Sequence, residues 1–474
     1  MTQPYELTAI EARRLIGRKQ LSPVELLNSC LEQLAIRNEE LNAVVAIDEE
    51  QGMGQARQAE HAVMQGWDLG LLHGLPVGIK DLEPVAGLRT TFGSLVYKDH
   101  VPERDCRTVD SLRAAGANIY CKTNTPEFGT GANTRNSVYG ATGNPFAPDK
   151  TCGGSSGGSA VALAANMMPL ATGSDYGGSL RTPAGFCGVV GFRPSPGLVP
   201  GVERVVSLSP FGVVGPMART VADAHLLLQA QMEYNRLDPF SNGQSDLIPD
   251  ALNGIDLASL RVAFSSDLGC APVDTRIRAV FESKVASFKG AFGEISWRDP
   301  WMQGIHETFE ILRCVNYVAA HGELLEKHRD LLGPNVIDNT ERGNDYSLAD
   351  VAWASARQSE IYRRYVDFFN DVDILICPVA AVSPFPHTEW SVTEINGETM
   401  STYMRWLTLS YALTTALPCV CAIPCGLDHL GLPFGIQIAG PRGSDSLVLE
   451  AAHSIEQLLQ SNAETARPVS VRTA

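Results

Sequence analysis

The sequence TCGGSSGGSAVALAANMMPLATGSDYGGSLRTPA, residues 151–184, contains two glycine clusters next to serine residues. The first cluster surrounds Ser155 and Ser156, and the second, Gly177 with Gly178, directly precedes Ser179. Because glycine tolerates positive φ angles and close backbone approach, each cluster can turn several N–H groups toward one point. Such a group of donors binds an anion, either a phosphate or the oxyanion that forms during acyl transfer.

The patterns typical of phosphate binding are absent from this stretch. No lysine follows the glycines as in the P-loop pattern G-x-x-x-x-G-K-[ST], and the dinucleotide pattern G-x-G-x-x-G is missing. Serines at the centre of a glycine cluster therefore favour acyl chemistry. The simpler alternative is a flexible Gly–Ser loop, which is disfavoured because residues 159–165 continue directly into an apolar segment with helix-forming composition.

A nucleophilic serine needs a base, and none of the ten histidines lies in this segment. Lys80 is a candidate, since it ends the apolar, strand-like segment GLPVGIK at residues 74–80. Apolar neighbours would lower the pKa of its amine and keep that amine neutral. A solvated lysine at the end of a strand is the commoner case, so the residues alone leave both interpretations open.

Short apolar runs alternate with segments of helical period along the chain. Strands are predicted at residues 41–47, 75–79, 117–121, 260–264, 372–377 and 434–438, and helices at residues 111–115, 220–229, 351–370 and 446–460. Near the N-terminus, the spacing of Thr8 with Glu11 and of Ser22 with Glu25 predicts two helices that begin with capping boxes. The alternation predicts an α/β protein with a mixed, mainly parallel central sheet covered by helices on both faces.

Composition limits the classes of function. The chain has 474 residues, 44% of them hydrophobic, and a formal net charge of −16, so it can bury a large core but is unsuited to binding nucleic acid. The N-terminal sequence lacks the pattern of a secretory signal, and no apolar run approaches the roughly 18 residues of a membrane span. Eleven scattered cysteines indicate reduced thiols in the cytoplasm.

The stretch GGSSGGSAVALAANMMPLATGSDYGGSLRTPA closely resembles the signature of the amidase signature family of serine hydrolases. Further segments that look like this family are GLPVGIKD around Lys80, KTNTPEFG from Lys122, GATGNP from Gly140, CGVVGFRPSPG from Cys187, and LPCVCAIPCGL and GLPFGIQIAG near the C-terminus. The resemblance implies one amidase domain over residues 1–474, with a catalytic core at 66–225. A variable region at about 234–410 would shape the substrate pocket.

Matched position by position, the Ser–Ser–Lys triad of the family falls on Ser179, Ser155 and Lys80. The resemblance implies that Ser179 is the nucleophile, that Ser155 relays a proton from a cis peptide conformation, and that Lys80 is the base.

The resemblance also implies supporting roles around this triad. The backbone N–H groups of Tyr176, Gly177, Gly178 and Ser179 would form the oxyanion hole. Gly129 and Ser155 would contact the substrate, and Ser156, Asp175 and Arg181 would hold the glycine loops in place.

The function implied is that of an amidohydrolase that cleaves a linear amide, or a related C–N bond, of a small molecule. No metal or cofactor is expected. The protein is expected to be cytoplasmic and to form a homodimer or other homo-oligomer. The alternative is the A component of a glutamine-dependent tRNA amidotransferase. Residues 201–217, however, lack the sequence motif resembling AFASSLDQIGP that such subunits carry. A scaffold with a retired site is disfavoured because all triad positions are filled. The substrate and the role of Cys314 in the variable region stay open.

Overall fold

The computed structural model describes residues 3–241, 243 and 248–470. Residues 242 and 244–247, which belong to the predicted variable region, and the two ends of the predicted domain, 1–2 and 471–474, lie outside the described residues.

Helices and strands alternate through much of the chain. The helices are α1 (Ala9–Gly17), α2 (Pro23–Leu41), α3 (Glu49–Gln65), α4 (Arg107–Ala114), α5 (Gly157–Ala164), α6 (Arg181–Cys187), α7 (Val221–Gln231), α8 (Thr275–Phe288), α9 (Ile305–His328), α10 (Pro334–Asp345), α11 (Leu348–Phe368), α12 (Thr408–Thr415) and α13 (Asp445–Gln460). The strands are β1 (Val44–Ile47), β2 (Pro76–Lys80), β3 (Asn118–Thr123), β4 (Arg135–Asn136), β5 (Gly140–Ala141), β6 (Gly143–Asn144), β7 (Ala147–Thr151), β8 (Leu170–Asp175), β9 (Val190–Arg193), β10 (Val213–Ala218), β11 (Arg261–Phe264), β12 (Glu294–Trp297), β13 (Ile374–Pro378), β14 (Glu394–Ile395), β15 (Glu398–Thr399), β16 (Cys419–Leu427) and β17 (Pro433–Gly440).

One large sheet forms the centre of the described structure, with the strand order β1-β3-β2-β8-β10-β9-β16-β17-β13-β11-β12. The α/β class and the mixed sheet are confirmed. Parallel pairs, which were expected to predominate, number four of the ten: β3 with β2, β2 with β8, β13 with β11, and β11 with β12. The other six pairs are antiparallel, because β8, β10, β9, β16, β17 and β13 reverse direction at each step and β1 runs against β3.

Helices cover both faces of this sheet. Successive residues of a strand point to opposite faces, and Leu170 and Ala171 of β8 accordingly belong to two different hydrophobic clusters. The cluster that contains Ala171 also contains apolar residues of α5, and the cluster that contains Leu170 also contains those of α7 and α13. No helix among the described residues is both long and apolar enough to cross a membrane.

The predicted capping boxes at the N-terminus are present. The Thr8 side chain accepts a hydrogen bond from the N–H of Glu11. At the start of α2, the side chains of Ser22 and Glu25 each accept a hydrogen bond from the other residue's backbone N–H. Each run that was predicted as a strand forms one, with ends that differ by a few residues.

Gly158 in α5 lies directly against the backbone of Asn124 and Ala43. Replacing Gly158 by a larger residue therefore tests this packing. A Cβ atom there would lie 2.2 Å from the Asn124 nitrogen and 2.6 Å from the Ala43 carbonyl oxygen. We expect Gly158→Ala to lower the free energy of unfolding by about 1–3 kcal/mol in urea titrations, because the backbone must move to admit the methyl group.

Gly54 in α3 provides the matched control, since a Cβ atom there would meet nothing within 4 Å. Gly54→Ala should raise the free energy of unfolding by about 0.5–1 kcal/mol through helix propensity alone. Equal effects of the two substitutions would contradict the close approach at Gly158.

Candidate active site

The amine of Lys80 lies inside the protein among serine hydroxyls. Lys80 is the last residue of β2 and is 0% exposed. Its Nζ atom lies 2.7 Å from Ser155 Oγ, 2.9 Å from Ser156 Oγ and 2.9 Å from Ser174 Oγ. The structure therefore brings Lys80 together with Ser155 and Ser156, and it does not place the lysine in solvent.

Burial lowers the pKa of Lys80 to about 7, because the charged ammonium loses its hydration. The negative charges of Glu83 and Asp175 act in the opposite direction and raise this pKa, but they do not outweigh desolvation. Glu83 is itself buried, and desolvation raises the pKa of its carboxyl to about 7. A substantial share of neutral amine is thus present at neutral pH.

The loop that carries Ser155 is fixed from both sides. The peptide bond between Gly154 and Ser155 is cis, as the resemblance implied. The carbonyl oxygen of Gly153 accepts hydrogen bonds from the N–H and the hydroxyl of Thr134, at 3.1 and 2.8 Å. Ser156 Oγ accepts a hydrogen bond of 3.3 Å from the N–H of Ser174, which connects this loop to the end of β8.

Ser179 lies next to this loop. The N–H of Ser156 donates a hydrogen bond of 3.2 Å to the carbonyl oxygen of Ser179. The Ser179 side chain is partly exposed, and within residues 3–241, 243 and 248–470 its hydroxyl has no hydrogen-bond partner. The hydroxyl of Ser179 is therefore unengaged, next to the loop whose Ser155 and Ser156 hydroxyls contact Lys80.

The backbone after β8 offers N–H donors near Ser179. The N–H of Gly178 is occupied, because it donates a hydrogen bond of 2.9 Å to Asp175 Oδ1. In the described part of the chain, the N–H groups of Tyr176, Gly177 and Ser179 have no hydrogen-bond acceptor. Of the four predicted oxyanion-hole donors, three are free and Gly178 is held by Asp175 in this conformation.

A buried ion pair holds this turn. Arg181 Nη2 lies 3.0 Å from Asp175 Oδ1, and Arg193 Nη1 lies 3.2 Å from the same oxygen, with all three side chains excluded from solvent. Burial alone would raise the pKa of Asp175, but the charges of Arg181 and Arg193 hold it well below its usual range. Asp175 thus contacts the predicted glycine loop through the N–H of Gly178, and Arg181 binds Asp175. Arg193 is a partner that the sequence reasoning missed.

Gly129, which the resemblance implies as a substrate contact, lies against the loop that carries Ser155. A Cβ atom on Gly129 would lie 3.1 Å from Ser155 Oγ, and the residue has a φ of +70°. Ser174 is a second contact that sequence reasoning missed. Its only signal was its position next to Asp175 in the motif.

A cavity adjoins the Gly177 side of this site. A Cβ atom on Gly177 would lie 3.1 Å from Phe309 Cζ and 3.5 Å from Met404 Cε. The cavity is lined by His306, Phe309, Glu310, Arg313, Asp338, Asn339, Arg342, Thr402, Tyr403, Met404, Arg405 and Tyr411. Cys314 is buried in α9 and is not among these lining residues.

Comparison with known proteins decides the family. The family model described as Amidase matches residues 25–449. An acylamidase of Rhodococcus erythropolis is 31% identical, with 95% of each chain covered. The chain belongs to the amidase signature family. It is a hydrolase that acts on carbon–nitrogen bonds other than peptide bonds.

Two further relatives bear on the type of amidase. The crystal structure of a bacterial aryl acylamidase of the amidase signature family superimposes with a TM-score of 0.88 at 26% identity, covering 95% of this chain and 96% of that one. The A component of the glutamyl-tRNA(Gln) amidotransferase of Acaryochloris marina (strain MBIC 11017) is 32% identical over 93% of this chain and 95% of its own. Amidohydrolases and amidotransferase components are thus similar to this chain to nearly the same degree.

The buried pair of Asp175 with its arginines should be essential for folding. Asp175→Asn leaves the charges of Arg181 and Arg193 buried without a counter-ion, and we expect a loss of about 3–5 kcal/mol in the free energy of unfolding. Asp371→Asn is the matched control, since Asp371 is 67% exposed where it pairs with Arg298. Solvent screens that pair, so its loss should be far smaller in the same urea titration. Similar losses in both variants would contradict the role assigned to Asp175.

Proposed function

We propose that the protein is an amidohydrolase that cleaves a linear amide of a small molecule through an acyl-enzyme on Ser179. Ser155 relays the proton and Lys80 is the base. The observation that carries this proposal is the distance of 2.7 Å between the buried Lys80 amine and Ser155 Oγ, with Ser179 on the adjoining loop.

In the first step, the neutral amine of Lys80 takes the proton of Ser155 while Ser155 takes that of Ser179. The Ser179 oxygen then forms a bond to the amide carbonyl carbon. As the C–N bond breaks, the proton returns through Ser155 to the leaving nitrogen, which departs as an amine. Water afterwards attacks the acyl-enzyme by the same relay and releases the acid.

The oxyanion of the tetrahedral intermediate would be bound by backbone N–H groups. Those of Tyr176, Gly177 and Ser179 are free to donate, and each such donor is worth roughly 2.7–4 kcal/mol where comparable donors have been removed. The N–H of Gly178 would join them only if it donated to the oxyanion in place of Asp175. We therefore assign Gly178 to shaping the loop and the other three residues to binding the oxyanion. The φ of +119° at Gly178 is a conformation that residues with a Cβ atom rarely adopt.

The second candidate is the A component of a glutamine-dependent tRNA amidotransferase, which the identity of 32% to the Acaryochloris protein favours. We prefer an independent amidohydrolase because residues 201–217 lack the AFASSLDQIGP-like sequence motif expected of an amidotransferase component. The purified chain alone should therefore release amine from small amides, as a homodimer or other homo-oligomer acting in the cytoplasm. Activity that appears only with added partner proteins would favour the second candidate.

The roles of Ser179 and Lys80 can be tested by covalent labelling. A fluorophosphonate probe should label the wild-type protein and Ser355→Ala, a control at an exposed helical serine, but not Ser179→Ala. Lys80→Ala should keep the thermal unfolding transition yet lose about 100-fold or more in labelling rate, because the base is gone. A wild-type rate in Lys80→Ala would disprove the assignment of the base.

The pH profile should report the lowered pKa of Lys80. Because the deprotonated amine is the active form, kcat/KM should rise with pH with a midpoint near 7, well below the ordinary lysine value of 10.5. The pKa of Glu83 is also about 7, so the titration of Glu83 must be distinguished from that of Lys80.

Glu83→Gln separates the two groups. Removing the negative charge that stabilises the ammonium should move the midpoint to lower pH, since Glu83 raises the pKa of Lys80. If the rising limb disappeared in Glu83→Gln instead, the titrating group would be Glu83 and not Lys80.

A further inference from the structure

Arg313 is a buried cation in the cavity beside Gly177. It lies on α9 and is 5% exposed. Its guanidinium donates to Asn339 Oδ1 at 3.1 Å, to the Tyr317 hydroxyl at 2.9 Å and to the Tyr403 hydroxyl at 2.7 Å. All three partners are neutral, and the Tyr317 ring lies 4.6 Å from the guanidinium carbon.

Within the described residues, no carboxylate lies within 4 Å of Arg313. The cavity contains two acids, Glu310 and Asp338, but both are bound by Arg342 at 2.6 and 3.0 Å. Burying a cation without a counter-ion is costly, and cation–π contacts with tyrosine offset only part of that cost.

The other charges of the cavity do not remove this imbalance. Arg405 also lines the cavity. Within the described chain, its guanidinium donates a hydrogen bond only to the hydroxyl of Ser401, at 3.2 Å. With three arginines and two acids, the lining carries a net positive charge in a protein of net charge −16. The excess positive charge is therefore local to this cavity.

Arg313 is connected to both sides of the proposed catalytic centre. Tyr176, which begins the proposed oxyanion loop, lies with its ring 5.8 Å from the Arg313 guanidinium. Tyr317, which accepts from Arg313, is 2.8 Å from the hydroxyl of Thr130, the residue after Gly129. Arg313 thus contacts the ring of Tyr176 directly and Thr130 through Tyr317.

Nη1 of Arg313 makes no hydrogen bond to the residues that the structure describes, and the guanidinium faces the cavity. A planar guanidinium binds a carboxylate through charge-assisted hydrogen bonds. We propose that the substrate is an amide that also carries a carboxylate, and that Arg313 binds this carboxylate during hydrolysis. This inference rests on the proposed function, because it assigns the substrate class of that same site.

Paired substrates test the inference. One series contains N-phenyl monoamides of dicarboxylic acids with two to six methylene groups, and each is matched by the methyl ketone that replaces its carboxylate. A second series places the same pair of groups on the amine side of an acetamide. At the best chain length in one of the two series, wild-type kcat/KM should favour the carboxylate by about tenfold or more, as expected for hydrogen bonds to a charged group.

Arg313→Met should remove this preference, measured within that variant as the ratio of kcat/KM for the carboxylate to kcat/KM for its methyl ketone. Arg363→Met, at an exposed residue of α11, should keep the preference. A wild type that labels at Ser179 but cleaves carboxylates and ketones equally well, or an Arg313→Met variant that keeps the preference, would overturn the inference. Absence of both labelling and hydrolysis would instead overturn the proposed function.

A measurement on the wild type alone covers the case in which Arg313→Met does not fold. Hexanoate should slow fluorophosphonate labelling of the wild-type protein at concentrations where 2-heptanone, its neutral isostere, does not. Equal protection by the two compounds would show that the cavity does not select for a carboxylate, and it would overturn the inference.

Discussion

The structure of this site depends on one constraint: the amine of Lys80 is buried in contact with hydroxyl groups and not with a carboxylate. The hydroxyls of Ser155, Ser156 and Ser174 lie 2.7–2.9 Å from Nζ. A hydroxyl can donate as well as accept, so these three can accommodate both the ammonium and the neutral amine. Desolvation then dominates over the attraction of more distant acids, and the pKa falls to about 7.

Asp175 shows how the surrounding structure preserves that balance. A free carboxylate close to the lysine would stabilise the ammonium and leave little neutral amine at neutral pH. Asp175 is instead engaged by Arg181 and Arg193, and it accepts from the N–H groups of Gly178 and Leu180 at 2.9 and 3.2 Å. The same carboxylate therefore fixes the turn before Ser179 while its charge is largely neutralised by two cations. Stability of the loop and availability of the neutral Lys80 amine, the proposed base, are in this way linked through one side chain.

Much of the fold was predictable because local sequence determines it. Strands such as β2 and β13 are continuous apolar runs, and the first two helices begin with capping boxes. Composition did not predict β8, since its alanine, glycine and aspartate residues are depleted in strands and pairing with β2 and β10 specifies it. For the site, the motif indicated the serines and Lys80, but burial of the lysine is a property of the assembled sheet. Ser174 and Arg193 had no separate local signal.

The cavity beside Gly177 was the least predictable part because it is assembled from segments that are distant in sequence. Tyr176 follows β8, Arg313 lies in α9, and Tyr403 precedes α12, yet the hydrogen bonds and ring contacts of Arg313 join all three. No periodicity or short motif encodes such a contact. The proposed catalytic residues lie within residues 80–181, whereas the residues that line the cavity depend on how α9 and α10 pack over that segment. Relatives can therefore keep the same reactive segment and differ in the compounds they accept, which is consistent with similar identities to an acylamidase and to amidotransferase components.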